Sequence, residues 1–248
     1  MTFPRSEICG RCQAEIAQEW VPPVLCGNRP LAGTGRWNTR LEDEVCPSCR
    51  ESAAQAQSRE VRKLELKRRL VEIMGGEKPY REFTFSHYEI AAGNRVAFTK
   101  ASSFNPEADN LYFWGPCGVG KTHLAYATAR RCFEEGRSVA LLKPSELLRQ
   151  VRRWAKEPSE EQIAIDRFVR VDVLVLDDFG IGGDTAYARQ ILQEIFDGRD
   201  YADRTGVIVT SKYSLSQLAQ KLDDDTVPSR LAGMCHVVEI AGPDRRLL

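Results

Sequence analysis

The feature that most restricts how this chain can fold is a glycine-rich loop between a short apolar strand and a helix. The segment reads FWGPCGVGKTHLA, and residues 115–122 within it fit the pattern G-x-x-x-x-G-K-[ST]. Glycines let the backbone turn tightly with its amides pointing inward, and the following helix adds its positive N-terminal end. The loop therefore predicts a site for the phosphates of a nucleotide.

Individual residues of this loop have distinct expected roles. Lys121 is expected to reach the β- and γ-phosphates of ATP, and the Thr122 hydroxyl is expected to bind Mg²⁺. His123 directly follows Thr122, and its ring is interpreted as structural. The segment expected to contact ATP comprises Gly115, Pro116, Cys117, Gly118, Val119, Gly120, Lys121, Thr122 and His123.

A site for Mg²⁺ and a nucleotide also needs a carboxylate at the end of a neighbouring strand, and the segment VLVLDD supplies two. Asp177 is expected on the magnesium side, and Asp178 is expected to orient or polarise the attacking water. Two acids at the end of an apolar strand are costly unless they meet a cation or water. The pair predicts ATP hydrolysis, with a plain pair of acids in a turn as the alternative.

Strands and helices alternate from Phe83 onward. The apolar runs are NLYFWG, SVALLK, VDVLVLDDFG and GVIVTSK, and the predicted helices between them include PSELLRQVRRWAK and ARQILQEIFDGRDYADR. Ser145 is expected at the N-terminus of the first of these helices. The strands are continuously apolar, which is typical of a parallel sheet covered on both faces. The predicted fold class is α/β.

The composition and charge of the chain exclude several classes of protein. Of 248 residues, 42% are hydrophobic and 28% are charged, which is ordinary for a soluble globular protein. The 35 basic and 35 acidic residues give a formal net charge of zero, so no overall field attracts nucleic acid or an anionic membrane. No apolar stretch suits a signal peptide or a membrane span, so we expect a cytoplasmic protein without a membrane partner.

The cysteines indicate a metal site near the N-terminus. Five of the eight lie within the first 50 residues, and four of these form C-x-x-C pairs. Without a signal peptide this arrangement favours metal over disulfides, and four thiolates can close a tetrahedral Zn²⁺ site. The predicted ligands are Cys9, Cys12, Cys46 and Cys49. Cys26 is a substitute ligand or a spare thiol. Cys117, Cys132 and Cys235 are expected to be neutral buried or loop residues.

Three parts are predicted along the chain: a zinc-binding module over residues 1–50, a linker helix over 51–78 and an ATPase domain over 79–248. Residues 51–74 lack glycine and proline, and GGEKP then ends the helix. The linker helix carries a basic face made of Arg59, Arg62, Lys63, Lys67, Arg68 and Arg69. This face is either a solvated surface or a contact for DNA or a partner, and both interpretations stay open.

Several of these motifs resemble one protein family. GPCGVGKTHLA and LVLDDFG resemble the P-loop and second motif of the DnaC, DnaI and IstB branch of the AAA+ ATPases. FDGRDYADRTGVIVTSKYSLSQL is similar to the sensor-1 strand of that branch and its preceding helix, and YREFTFSHYEIAAGNRVAFTKASSF to its lead-in. The resemblance runs from about Tyr80 to the C-terminus. It implies an AAA+ parallel sheet flanked by helices without a C-terminal lid, here preceded by the small zinc-binding module.

The resemblance also assigns roles to two arginines. PSRLAGM is similar to the S-R-L box of the family, which makes Arg230 the candidate arginine finger that reaches the γ-phosphate of a neighbouring subunit. GPDRRL resembles the sensor-2 segment, with Arg246, or less favourably Arg245, facing the phosphates. A guanidinium neutralises transition-state charge on phosphoryl oxygens and stays protonated. A finger that acts in trans implies self-association through the ATP sites.

Lys212 departs from the family pattern. The branch usually places an Asn after the TS of the sensor-1 strand. An Asn can donate to the γ-phosphate and accept from the attacking water, whereas Lys only donates. Either Thr210 or Ser211 takes over this role, or hydrolysis is slow.

The resemblance implies an ATP-dependent loader of a hexameric replicative helicase, which binds ATP, Mg²⁺ and single-stranded DNA and contacts the helicase through its zinc module. An IstB-like transposition helper that assembles on duplex DNA is one alternative. A nucleotide-responsive adaptor with little turnover is another. Both alternatives remain open at this point.

A candidate surface for the single strand lies on the segment SELLRQVRRWAKEPSEEQ, read as one helix. It carries Arg149, Arg152, Arg153 and Lys156 around Trp154. Cations beside an aromatic ring form a workable groove for a nucleic-acid backbone and its bases. A solvated helix face with a core tryptophan is the alternative.

Overall fold

The computed structural model describes residues 7–8, 15–16, 19–21, 25–26, 29–30, 36–38, 47–155, 157–180 and 185–247. These residues belong to two compact units, Met1–Lys67 and Arg68–Leu248. Three of the predicted zinc ligands, Cys9, Cys12 and Cys46, lie outside the described residues.

The described backbone of the first unit contains short antiparallel strand pairs. β1 (Glu7–Ile8) pairs with β2 (Glu15–Ile16), β3 (Glu19–Val21) with β6 (Arg36–Asn38), and β4 (Leu25–Cys26) with β5 (Arg29–Pro30). Helix α1 then runs from Pro47 to Ile73. Helix α1 includes residues 51–73 of the predicted linker helix but begins four residues earlier, and Met74 lies between its end and the glycines of GGEKP.

The second unit is built on a five-stranded parallel sheet. Its strands are β7 (Leu111–Trp114), β8 (Val139–Leu142), β9 (Val173–Phe179), β10 (Val207–Ser211) and β11 (His236–Glu239). They are ordered β11-β7-β10-β9-β8, and every neighbouring pair is parallel. The prediction of a parallel sheet is confirmed, and this order places the carboxyl ends of β7, β10 and β9 next to one another.

Helices cover both faces of this sheet. They are α2 (Glu77–Glu82), α3 (Arg95–Ser102), α4 (Lys121–Glu134), α5 (Pro144–Trp154), α6 (Pro158–Arg170), α7 (Ala186–Tyr201), α8 (Leu215–Leu222) and α9 (Thr226–Met234). A 3₁₀ turn at Phe85–His87 lies between α2 and α3. The core residues of α3 and α4 belong to one apolar cluster, and those of α5 to α9 belong to another.

Strand β9 shows why the predicted strands are continuously apolar. Val173 and Val175 pack into the cluster on the α3 and α4 face, whereas Leu174 and Leu176 pack into the cluster on the opposite face. All four side chains are fully buried. Because side chains alternate between the two faces of a strand, a strand covered on both sides needs an apolar residue at each position.

The region around α5 and α6 differs from the sequence prediction. The segment predicted as one helix is two helices, because Pro158 begins α6 and disfavours helical backbone at Glu157, which is extended. Helix α5 begins at Pro144 with Lys143 as its N-cap, so Ser145 lies inside the first turn.

Strand β11 was also missed. It is an edge strand in which Val238 alone is buried, so its sequence lacks the continuous apolar run of the central strands.

A buried arginine joins α7 to the end of α6. The Arg199 side chain has no exposed surface. Its guanidinium donates to the main-chain oxygens of Phe168 and Val169, both at 3.1 Å, of Val171 at 2.8 Å, and of Thr205. These oxygens include unpaired carbonyls at the C-terminus of α6, which need donors. Burial lowers the pKa of Arg199 to about 10, yet the side chain stays charged at neutral pH.

We expect Arg199→Met to lower the free energy of unfolding by about 3–5 kcal/mol, because it leaves several buried carbonyls without donors. Urea denaturation followed by circular dichroism measures this loss. Arg204→Met is the matched control, since exposed Arg204 donates at 2.7 Å to Arg170 O at the same helix end. We expect the control to lose less than about 1 kcal/mol. Equal losses in the two variants would contradict the role assigned to Arg199.

Candidate nucleotide-binding site

The glycine-rich loop follows β7 at the carboxyl edge of the sheet, where α4 begins at Lys121. Gly120 lies at the last turn of the loop with φ of 100°. A Cβ atom at this position would lie 2.8 Å from the Tyr88 ring, so glycine serves both the backbone conformation and the close approach. The predicted context of strand, loop and helix is therefore present.

Lys121 lies against its own loop. The side chain is only 8% exposed, and its Nζ donates to Gly115 O at 2.8 Å and to Pro116 O at 2.6 Å. Burial lowers the pKa of Lys121, and nearby Cys117, Asp178 and Asp177 oppose this effect. An ammonium has three donors. One is left for a ligand in the adjoining space.

Asp177 and Thr122 come together at the start of α4. Asp177 Oδ1 accepts hydrogen bonds from Thr122 Oγ1 at 2.9 Å and from Thr210 Oγ1 at 2.6 Å. The Asp177 side chain is 3% exposed; burial raises its pKa, while the two hydroxyls and Lys143 oppose the rise. A carboxylate beside a hydroxyl is an oxygen donor set of the kind that Mg²⁺ prefers. These residues therefore fit Mg²⁺.

Asp178, the next residue, lies at the same carboxyl edge of the sheet. Its backbone is left-handed, with φ of 59°, and its N–H donates to Thr210 Oγ1 at 3.0 Å. Its carboxylate accepts a hydrogen bond from Lys143 Nζ at 2.8 Å, and this contact raises the pKa of Lys143. Sequence reasoning missed Lys143. The available signal was its position directly after β8, whose carboxyl end meets the same edge of the sheet.

A cavity of about 350 Å³ opens beside the loop. Its walls include Lys121, Thr122, Asp178, Lys212, Arg245 and Arg246. The volume is in the range typical of small-ligand sites. The cavity therefore gathers one carboxylate and four cationic side chains around a space suited to a phosphorylated ligand.

The two hydroxyls that could replace the sensor-1 Asn are both engaged within the sheet. Thr210 donates to Asp177, and Ser211 Oγ donates to Phe179 O at 2.8 Å. Both side chains are fully buried. Lys212 is exposed and lines the cavity, with its Nζ 4.9 Å from the centroid of the Tyr213 ring. Lys212 is therefore the side chain of this segment that a bound phosphate would meet.

The two candidate arginines lie in different places. Arg246 lines the cavity, where its Nε and a terminal nitrogen each lie 3.0 Å from the Asp244 carboxylate. Arg230 is on α9, paired with Asp197 and Asp200 of α7, and lines a separate cavity of about 550 Å³. The structure thus groups Arg246 with the P-loop and places Arg230 elsewhere.

The remaining predicted residues of the loop and of helix α4 differ in exposure. His123 Nε2 lies 2.7 Å from Thr84 O, and the ring packs against Phe83 and Tyr88, which agrees with a structural side chain at the cavity wall. Cys117 is exposed in the loop. Burial raises the pKa of Cys132 to about 11, so this thiol is neutral at physiological pH.

Trp154 is half-buried and packs against the protein core. Its ring stacks on Phe168 with the centroids 5.5 Å apart, and the Arg167 guanidinium lies 4.6 Å from the Trp154 ring centroid. Arg149, Arg152 and Arg153 are exposed. Lys156 lies outside the described residues. The three described arginines of the proposed single-strand surface are thus exposed, with the Arg152 guanidinium 4.9 Å from the Tyr187 ring centroid, whereas the Trp154 ring is packed.

The described residues set limits on metal and membrane sites. Within them, no group of three or more His, Cys, Asp or Glu side chains could hold a metal ion. Cys49 lies on α1, and the other three predicted zinc ligands fall outside this part of the chain. None of the described helices combines the length and apolar character needed to cross a bilayer.

The parallel sheet, the glycine-rich loop and the buried acid at the neighbouring strand together define a P-loop nucleotide-binding domain of the AAA+ type. Residues 51–248 match the family described as IstB-like ATP binding protein. The chain belongs to this family.

Curated relatives of the chain carry different names. The uncharacterized protein YdaV of Escherichia coli K12 is 27% identical over 187 residues, which are 73% of each chain. The replicative helicase loader DnaC of the same strain is 29% identical over 136 residues, covering 52% of this chain and 55% of DnaC. An IS1162 putative ATP-binding protein of Pseudomonas fluorescens is 36% identical over 117 residues, covering 47% and 49%. The chain thus spans about half the length of the last two.

Solved structures agree with this assignment. A crystal structure of the DnaC helicase loader matches with a TM-score of 0.57 and 25% identity, covering 67% of this chain and all of the other. DnaA of Aquifex aeolicus bound to AMPPCP matches with a TM-score of 0.56 and 23% identity, covering 64% and 50%. The second likeness supports the fold alone.

We expect Thr210→Val to weaken the site. The change keeps the side-chain volume but removes the hydrogen bond to Asp177 and leaves the Asp178 N–H unpaired, so the free energy of unfolding should fall by about 1–3 kcal/mol. It should also raise the pKa of Asp177 further. Thermal denaturation measures the loss of stability, and the pH dependence of binding of a fluorescent ATP analogue, with Mg²⁺ present, measures the change in the Asp177 pKa. Thr210→Ser keeps the hydroxyl and should stay close to the wild type. An unchanged Val variant would contradict this account.

Proposed function

We propose that the chain is an ATPase whose site binds ATP with Mg²⁺. The observation that carries the proposal is the buried Asp177 carboxylate, which accepts hydrogen bonds from Thr122 and Thr210 beside Lys121. Lys121 would bind the β- and γ-phosphates, while Thr122 and Asp177 would hold the metal. Bound Mg²⁺ would supply positive charge to the phosphoryl oxygens.

Asp178 would orient the attacking water in this ATPase. Its carboxylate already accepts a hydrogen bond from Lys143, but a carboxylate has further lone pairs for a water molecule. Lys143 would hold the Asp178 carboxylate in position through this hydrogen bond. Arg246 would face the phosphates from within the chain, and Arg230 would act on the site of a neighbouring copy.

We propose further that this ATPase loads a replicative DNA helicase. The matches to DnaC support this function, because a protein named as a replicative helicase loader matches 52% of this chain in sequence and 67% of it in structure. The proposed loader docks on a hexameric helicase through zinc held by Cys9, Cys12, Cys46 and Cys49. It grips single-stranded DNA along the exposed arginines of α5 and self-associates through its ATP sites.

A transposition helper is the second candidate. The 36% identity to an insertion-sequence ATP-binding protein favours it. A helper of this kind would assemble on duplex DNA, so stimulation of ATP hydrolysis by duplex rather than single-stranded DNA distinguishes the two functions.

The loader function predicts a stable complex with a hexameric replicative helicase from the same source. We expect the two proteins to co-purify in the presence of ATP and Mg²⁺. The Lys121→Ala variant should co-purify more weakly, because it loses a contact to the phosphates. A Cys9→Ser, Cys12→Ser double variant should lose both bound zinc and the complex. Gel filtration with metal analysis measures these results. Failure of the wild type to form any complex, with or without ATP, would overturn the loader function.

Slow turnover is a feature of the proposed ATPase, because Lys212 cannot accept a hydrogen bond from the attacking water and the Thr210 and Ser211 hydroxyls are engaged elsewhere. We expect Lys212→Asn to raise the turnover rate about tenfold, which corresponds to about 1.4 kcal/mol of barrier. Steady-state release of phosphate measures the rate. Lys212→Met is the control for loss of charge alone, because its side chain offers no amide to the attacking water. A rate that falls in the Asn variant would show that Lys212 itself assists hydrolysis.

A further inference from the structure

The C-terminal segment after β11 folds back over the glycine-rich loop. Arg245 N donates to Gly118 O at 3.1 Å, which adds one main-chain contact between the segment and the loop. The Arg245 side chain donates to Glu89 O at 2.7 Å, and its guanidinium lies 5.3 Å from the Tyr88 ring centroid. Arg245 therefore anchors the segment beside the site.

The side chain of Asp244 lies directly on the loop. A Cβ atom on Gly118 would lie 1.7 Å from Asp244 Oδ1 and 2.0 Å from its Cγ, and Gly118 has φ of 74°. Any larger residue at position 118 would displace the carboxylate. The loop therefore has an acidic side chain of this chain packed against it, although loops of this kind bind anions.

Arg246 is held by this carboxylate. Its main-chain N–H and its Nε each lie 3.0 Å from Asp244 Oδ1, and a terminal nitrogen lies 3.0 Å from Oδ2. These contacts, with a smaller contribution from Lys121, hold the pKa of Asp244 below its usual range. Asp244 is therefore charged at neutral pH and forms a bidentate pair with Arg246.

The two arginines of the segment have different freedom to move. The Arg246 side chain is 69% exposed, whereas the Arg245 side chain is 25% exposed and is bound to Glu89. Both line the cavity. Arg246 can therefore change partner by side-chain rotation, while Arg245 stays in place as the anchor.

We propose that Asp244 is a built-in competitor for nucleotide phosphates: it holds Arg246 on the P-loop until a bound triphosphate takes the arginine over. The inference rests on the proposed ATP site and adds that Asp244 regulates the affinity of this site for ATP. Arg246 cannot serve Asp244 and a phosphate with the same donors, since a guanidinium binds either oxyanion through its paired N–H groups. The carboxylate also repels phosphate charge. Both effects lower the affinity of the site for ATP.

The test is a set of binding titrations with the full chain. Wild type, Asp244→Asn, Asp244→Ala, Arg246→Ala and the Asp244→Asn, Arg246→Ala double variant are titrated by calorimetry with a non-hydrolysable ATP analogue, with Mg²⁺ present. Adenosine is the probe without phosphate. Glu107→Gln is the matched control. Glu107 lies in the turn before β7, at the amino ends of the strands, and forms a 2.7 Å ion pair with Arg137. Thermal denaturation checks that each variant is folded.

We expect Asp244→Asn to bind the triphosphate about fivefold or more tightly than the wild type, a usual size for such coupling. The gain should be absent for adenosine, absent in Glu107→Gln, and largely lost when Arg246 is also Ala. Asp244→Ala should show the same gain, because it too frees Arg246.

Three outcomes overturn the inference. If the wild type binds the analogue and neither Asp244 variant binds it more tightly, the competitor role is wrong and the proposed ATP site stands. If the full gain persists in the Arg246→Ala background or appears equally with adenosine, release of Arg246 is not its cause. If no variant binds the analogue, the proposed ATP site and the inference both fall.

Discussion

The buried carboxylate of Asp177 is the group on which the site depends. It lies near the end of β9 and accepts hydrogen bonds from Thr122 at the start of α4 and from Thr210 at the end of β10. One ionisable group thereby joins the P-loop helix to two central strands. Burial raises the pKa of Asp177, and the hydrogen bonds from the two hydroxyls oppose this rise. Because burial disfavours the charged carboxylate, a cation bound beside it would stabilise it.

Several other charged groups around the sheet edge have partners within the chain. Lys121 binds loop carbonyls, Lys143 binds Asp178, and Arg246 binds Asp244. Arg230 on α9 is likewise paired with acids of α7. In the proposed ATPase, a nucleotide or a neighbouring copy must compete with these internal contacts. This arrangement suits a protein whose activity depends on ligand and assembly.

Much of the fold and part of the site could be predicted from local sequence pattern. The loop, the apolar strands and the acids after VLVL are each contiguous in the chain, so short segments report them. Lys143 and Asp244 could not be found in this way, because the order of the strands and the return of the C-terminal segment bring them to the loop. The break before α6 was readable at Pro158, whereas β11 lacks the apolar run of a central strand.

The sequence by itself determined the class of fold and the kind of ligand, since a P-loop between a strand and a helix and continuously buried strands each have one common structural solution. Tertiary structure alone decided which charges meet. It engaged Thr210 and Ser211 inside the sheet, left Lys212 at the cavity, and set Asp244 against Gly118. The physical reason is that electrostatic partners are chosen by distance in space, which the order of residues along a chain does not specify.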